Sequence, residues 1–153
     1  NRRSRTFGRI TPADSPAFQR RRNTVRLLQQ DAGMADDGAI GVTIDDVREI
    51  VADLPRSYEV VVRGRVKFRV GRLVYLAFSK DEQQMGFGFP KDEREAMLAA
   101  EPDKFIRPIP SDMRYNWLEV RLDAIDREEL TELVLDAWRM CVPKSIAEEH
   151  LGP

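Results

Sequence analysis

The sequence has little of the side chains on which most metal sites and covalent catalysis depend, since it contains one cysteine and one histidine among 153 residues. One cysteine cannot form a disulfide within the chain, and one histidine with one cysteine cannot complete a zinc site of the His/Cys type. Cys141 falls on the apolar stripe of a predicted helix and His150 follows in the tail, so we expect a packed thiol and a solvent-exposed imidazole. The composition therefore predicts a protein that is not an enzyme and needs no cofactor.

Long apolar runs are also missing from the sequence. None approaches the roughly 18 consecutive apolar residues that a membrane-spanning helix requires. The arginine-rich beginning lacks the apolar stretch of a secretory signal. We therefore expect a cytoplasmic protein with no membrane partner.

The net charge of −1 conceals an uneven distribution of charge along the chain. Residues 1–33 carry eight arginines against two aspartates, a balance of +6, whereas the remaining residues carry 17 basic and 24 acidic side chains, a balance of −7. We assign residues 1–42 to an arginine-rich extension, poor in core residues and predicted to be disordered or non-native, and residues 43–153 to an α+β domain. Met34 resembles a coding start, so the extension is either an addition before it or a genuine basic arm that carries a helix after Ser15-Pro16.

Periodicity and punctuation divide the rest of the chain into helices and strands. In order, we expect a helix from Thr43 to Leu54, strands at Tyr58–Val62, Val66–Val70, Leu73–Ser79 and Gln84–Phe89, a helix with a capping box of Asp92 and Glu95, strands at Phe105–Ile106 and Trp117–Leu122, a helix with a capping box of Asp126 and Glu129, and a tail helix that includes Ile146 and Leu151. Consecutive strands with short links pair antiparallel. The predicted fold class is therefore α+β, a two-layer domain with helices on one face of an antiparallel sheet.

The segment from Arg63 to Arg72, RGRVKFRVGR, alternates basic and apolar residues. Because successive side chains of a strand point to opposite faces, one face buries the apolar residues and the other presents a row of cations. Parity adds a tyrosine from the next strand, and the candidate binding residues are Arg63, Arg65, Lys67, Arg69, Arg72 and Tyr75. Gly86 and Gly88 would leave the neighbouring strand bare on this face, open to close approach by a ligand.

Cations, a stacking ring and close backbone approach are combined in platforms for single-stranded nucleic acid. The alternative is an ordinary solvated face, whose cations pair with Glu119 or with the loop at Asp81 and Glu82. The stretch around Gly86 is not a phosphate-binding loop, because it lacks a third glycine and the Lys-Ser/Thr sequence that follows in such loops.

Four stretches together resemble the MmcQ/YjbR family, over a region from about Thr43 to His150. They are FRVGRLVYLAF at Phe68–Phe78, DEREAMLAA at Asp92–Ala100 with Pro102 and Phe105 after it, WLEVRLD at Trp117–Asp123, and the helix from Asp126 to Lys144. The resemblance implies an α+β fold with an antiparallel sheet, like that of secretion chaperones. It also implies the family's usual description as DNA-binding proteins with a proposed double-wing arrangement, and it offers no catalytic residues.

The sequence departs from the family pattern at two places. Members often carry His-Gly before the tryptophan of the last strand, where this chain has Tyr115-Asn116, and many place Leu-x-Lys on the strand that here reads Met85–Phe89. Any binding role of those family residues does not transfer to this chain.

Two functions follow from these patterns. The first is a nucleic-acid (DNA or RNA) binding module that uses the basic sheet face. The second is a protein- or small-ligand-interaction domain of secretion-chaperone type, without catalysis, in which the same face meets an acidic protein or a second copy of the chain.

Overall fold

The structure, a computed structural model, describes residues 39–152. The arginine-rich segment before them, with the helix predicted after Ser15-Pro16, lies outside the described residues. The elements are α1 Ile44–Val51, β1 Ser57–Val62, β2 Arg65–Val70, β3 Leu73–Phe78, β4 Gln84–Gly88, α2 Lys91–Ala100, β5 Phe105–Ile106, β6 Trp117–Arg121, α3 Arg127–Arg139 and α4 Lys144–Leu151. Short 3-10 turns occur at Pro110–Asp112 and Leu122–Ala124.

The six strands form one antiparallel sheet in the order β1-β2-β3-β4-β6-β5. Two tight turns set the register of the first three strands. Arg63 and Gly64 join β1 to β2 with φ of 55° and 78°, the double positive φ of a type I′ turn, which matches the twist of paired strands. Gly71, with φ of 61°, begins the turn between β2 and β3, as predicted. The predicted α+β class with an antiparallel sheet is confirmed.

Both predicted capping boxes, at Asp92 and at Asp126, differ from expectation, whereas the complete box at the start of α1 was predicted only as a cap by Thr43. Thr43 and Asp46 form a complete box at the start of α1. Asp126 caps α3 by accepting from the amide of Glu129, but the Glu129 carboxylate bonds Lys104 instead of completing a box. The box predicted at Asp92 is wrong: α2 begins at Lys91 after Pro90, without a side-chain cap. The amide of Lys91 instead donates to Oδ1 of Asn116, just before β6, at 3.0 Å, so a side chain from a distant segment satisfies one of the free amides of this helix.

Trp138 of α3 lies at the centre of the core and is fully buried, as the apolar stripe predicts. It shares one cluster with Phe68, Leu76 and Phe87 from three neighbouring strands. The indole Nε1 donates to the carbonyl of Pro55, just after α1, at 2.9 Å. This bond and the apolar cluster attach α1, α3 and the sheet to one another.

The folded unit begins at least two residues before position 43. The amides of Gly41 and Val42 donate to the carbonyls of Ile125 and Leu122, at 2.8 and 2.9 Å, and the Val42 side chain is buried. None of the helices within residues 39–152 is long and apolar enough to cross a membrane.

Candidate nucleic-acid interface

The cations of β2 lie on the sheet face opposite the buried side chains of Val66, Phe68 and Val70, and we call this the outer face. Arg65 is exposed, and Lys67 and Arg69 are half-buried. Helices α1 and α3 lie on the other face: Glu59, which is paired with Phe68 in the register, forms an ion pair with Arg48 of α1 at 2.9 Å, and Trp138 of α3 shares the core cluster of Phe68. The predicted alternation of β2 is therefore confirmed.

None of the five candidate cations forms an ion pair with another residue in the described range 39–152. The alternative pairing with the loop after β3 does not occur, since the carboxylate of Asp81 accepts from the hydroxyl of Ser79 at 2.7 Å and from an amide. Arg63 and Arg72 are exposed at the turns that begin and follow β2. The cations therefore extend along the whole length of β2.

Tyr75 is not on the outer face, and its assignment as a binding residue is wrong. Phe68 pairs with Leu76 and Arg69 pairs with Val74, so Tyr75 has no partner in β2 and forms a β-bulge. A bulge inserts one residue and shifts the parity of the strand. The ring turns into the core, its hydroxyl lies 2.5 Å from that of Ser57, and burial raises the pKa of Tyr75 to about 12.

Tyr58 occupies the position on the outer face that was assigned to Tyr75. It pairs with Arg69 in the register, is 43% exposed, and its hydroxyl donates to the carbonyl of Gly71. The position of Tyr58 beside Arg69 could have been predicted from the sequence. If Arg63-Gly64 is taken as a two-residue hairpin turn, counting back along both strands places Tyr58 opposite Arg69.

Gly86 does not leave an opening for a ligand, because Trp117 occupies the space. A Cβ atom added at Gly86 would lie 2.7 Å from two atoms of the Trp117 indole ring, so only glycine admits the ring there. Gly88 does not lie bare on the outer face as predicted, because an added Cβ there would lie 3.7 Å from the Cα of Ala137 in α3, on the helical side of the sheet. The bare glycines thus accommodate the chain's own side chain and helix, and the half-buried Trp117 is an aromatic component of the outer face.

Glu119 is the acidic residue of the outer face, opposite Gly86 in β4 and Ile106 in β5. Burial raises the pKa of the Glu119 carboxyl, nearby Asp112 raises it further, and Arg65 lowers it. Arg65 lies near enough for this electrostatic effect, but the two side chains form no ion pair in the described part of the chain. The Glu119 carboxyl thus lies on the outer face between the cations of β2 and the edge strand β5.

Replacing Glu119 with glutamine is expected to stabilise the protein near neutral pH. The pKa of the Glu119 carboxyl is higher in the folded than in the unfolded wild type. The wild type therefore begins to lose stability as pH rises through about 4.3, where the unfolded carboxyl ionises, and the loss ends above the folded-state pKa. The gain from Glu119→Gln should therefore appear above this window and vanish below it. Thermal unfolding across the pH range measures it, with Glu149→Gln on α4 as an exposed control. A gain of equal size in acid would contradict this account.

The remaining chemistry-bearing residues have structural roles. Cys141 is half-buried, and burial raises the pKa of its thiol, which keeps it protonated. His150 is exposed as predicted, and its ring meets the edge of Trp138 with centroids 5.5 Å apart. Within residues 39–152 no three His, Cys, Asp or Glu side chains are grouped so as to hold a metal ion.

Comparison with known proteins places this arrangement in a family. No curated protein matches the chain. The crystal structure of Deinococcus radiodurans protein DR2400, described with the family-model domain DUF419, is similar in fold, with a TM-score of 0.60 and 22% sequence identity over 76% of this chain and 93% of that one. The model of the YjbR family matches residues 52–140, from the end of α1 to the end of α3. Since this match spans more than half of the sequence, the chain belongs to the YjbR family.

Proposed function

We propose that this chain is a cytoplasmic binding module, without catalysis, that holds single-stranded nucleic acid on the outer face of its sheet. The observation that carries the proposal is the row of Arg65, Lys67 and Arg69, to which the described residues supply no ion-pair partner. Phosphate oxygens would supply the missing negative charge, and the release of their counterions would favour binding. The DNA-binding description that the family resemblance implies agrees with this.

The shape of the face favours a single strand over a duplex. Alternate residues of a strand lie about 6.7 Å apart, so the three cations form a straight row. Tyr58 stands beside this row and Trp117 lies three strands away on the same face. Bases of a single strand can stack on such rings. Reading a duplex requires an element that enters a groove, and the outer face presents none within residues 39–152.

The second function, binding of an acidic protein, is favoured by the apolar side chains among the cations. Val60 and Val62 of β1 and Val74 of β3 are half-buried on the outer face. An acidic segment with apolar residues would match this mixture of charge and apolar area. The two functions predict different results with an oligonucleotide.

The full chain is expected to bind a single-stranded oligonucleotide of mixed sequence with an affinity that falls with salt. Each phosphate contact contributes about −0.7 to the slope of log affinity against log salt for single strands. Replacing Lys67 and Arg69 with alanine should therefore reduce the steepness of that slope by about 1.4. Fluorescence anisotropy over a salt series measures the change, and circular dichroism verifies the fold of the variant.

The control removes two positive charges from outside the outer face. Lys80, in the turn after β3, and Lys144, on α4, are both exposed. The Lys80→Ala/Lys144→Ala variant loses the same net charge, so it should retain the slope of the wild type. Equal slopes for the two double variants would reject the outer face as the nucleic-acid site. The acidic-protein function would then be the better explanation of the cation row.

A further inference from the structure

Among residues 39–152, β1 forms one edge of the sheet and pairs on one side only, with β2. Val62 and Arg65 close the type I′ turn, so their backbone groups bond each other. In an antiparallel pair such residues alternate with residues whose amides and carbonyls point away. The backbone groups of Glu59 and Val61 are therefore directed out of the sheet, whereas the amide of Ser57 donates to the carbonyl of Leu54 at 3.3 Å.

This edge strand carries no lysine, proline or bulge, three of the features by which proteins prevent edge-to-edge pairing. β1 reads SYEVVV and pairs with β2 over six consecutive positions without a bulge. Its one charged residue, Glu59, is bound by both Nε and Nη2 of Arg48. Val61 is 66% exposed. The strand thus presents a straight, nearly uncharged edge.

We propose that β1 pairs antiparallel with β1 of a second copy of this chain, across a two-fold axis at Val60. A two-fold axis perpendicular to the sheet keeps both outer faces on one side. In this register Tyr58 lies opposite Val62 of the partner subunit and Glu59 lies opposite Val61 of the partner subunit. An aromatic residue opposite a β-branched one is a favourable cross-strand pair. An axis at Glu59 would instead oppose two carboxylates, which is unfavourable.

The charge distribution permits this assembly. The outer side of β1 carries Tyr58, Val60 and Val62, which are all uncharged, so the cation rows of the two copies lie three strand spacings apart, or about 14 Å. This exceeds the Debye length of about 8 Å at physiological salt, so mutual repulsion is weak. Two rows of Arg65, Lys67 and Arg69 would then share one continuous surface, so the second copy contributes cations to the outer face.

The contact is short, so the dimer is expected to be weak. A pair of six-residue strands buries less than the roughly 1,200 Å² typical of stable complexes. Sedimentation of the full-length chain should therefore show a mass that rises with concentration from 17.6 kDa towards twice that value. The measurement uses the protein alone, so its outcome is independent of whether nucleic acid binds.

A cysteine at the axis tests the register directly. Residues of a non-hydrogen-bonded antiparallel pair have Cα atoms about 4.5 Å apart, within the range that a disulfide spans. In a Cys141→Ser background, Val60→Cys should give a covalent dimer on mild oxidation. Val62→Cys is the matched control, because it has the same residue type, strand and face but would lie about 14 Å from its own copy. It should remain monomeric.

Blocking the edge should abolish association. Val61→Pro removes an outward-directed amide, which an edge strand tolerates, and Val61→Lys leaves the backbone intact if the proline variant fails to fold. Both should sediment as monomers at every concentration. A wild-type chain that remains monomeric throughout, a Val61→Lys variant that associates like the wild type, or equal cross-linking at positions 60 and 62 would overturn the proposal. An extended peptide of another protein would then be the remaining occupant for this edge.

Discussion

Replacing Trp138 with alanine is expected to lower the free energy of unfolding by about 3–5 kcal/mol, the range found for large aromatic side chains removed from cores. Trp138 is fully buried between α1 and the sheet, and its Nε1 bonds the carbonyl of Pro55. The substitution removes the packing of the indole and leaves that carbonyl without its donor. Urea unfolding of the variant and the wild type measures the difference.

Two further variants separate the causes of this loss. Trp138→Phe keeps most of the ring but removes the hydrogen bond, so its cost should be clearly smaller than that of alanine. Trp117→Ala removes the other tryptophan, which is half-buried on the outer face. Its cost should also be smaller, because much of its surface already contacts water. An alanine cost at Trp138 no larger than that at Trp117 would contradict the central position of α3 in the fold.

The helical layer and the sheet were predictable because burial imposes a period on the sequence. The stripe from Leu130 to Cys141 predicted that one side of α3 packs on the sheet, and the alternation of β2 predicted which side chains lie in the core. Both patterns are local, so a single sequence contains them. The cation row of the candidate site was predictable for the same reason.

Features that depend on contacts between distant segments were not predictable from these patterns. The bulge that buries Tyr75 arises from the pairing of β2 with β3, and strict alternation gives no sign of it. Gly86 and Trp117 are 31 positions apart in the sequence and meet only because β4 pairs with β6. Tyr75 was therefore misassigned, whereas the alternation of β2 correctly predicted on which face its cations lie.

A tight turn is a local sequence pattern, but it determines which residues of two strands meet. The register of β1 against β2 follows from the Arg63-Gly64 turn, and it identifies Tyr58 as the ring beside Arg69. It also identifies the backbone groups of β1 that point out of the sheet. A two-residue turn therefore determines both the aromatic component of the outer face and the edge proposed to pair with a second copy.

Replacing Arg94 with methionine is expected to lower the free energy of unfolding by about 2–4 kcal/mol. Each buried carbonyl that loses its donor costs about 1–3 kcal/mol, and some of these carbonyls will bond water instead. Arg94 of α2 is 5% exposed. Its guanidinium donates to three backbone carbonyls, those of Met113 at 2.7 Å, Tyr115 at 3.1 Å and Trp117 at 3.0 Å. Methionine retains an unbranched apolar stem and removes all the donors together with the positive charge.

Loss of these hydrogen bonds should also loosen the outer face, because the three carbonyls belong to the segment that leads into β6 and positions Trp117. Amide exchange of residues 113–117 should become faster in Arg94→Met than in the wild type. Arg107→Met is the matched control. Arg107 is an exposed arginine after β5 that forms a surface ion pair with Glu95 of α2, the helix that also carries Arg94. Exposed ion pairs contribute little, so this control should keep both the stability and the exchange pattern of the wild type. If Arg94→Met is as stable as Arg107→Met, the three carbonyl bonds do not hold the segment, and the placement of Trp117 depends on its packing against Gly86 alone.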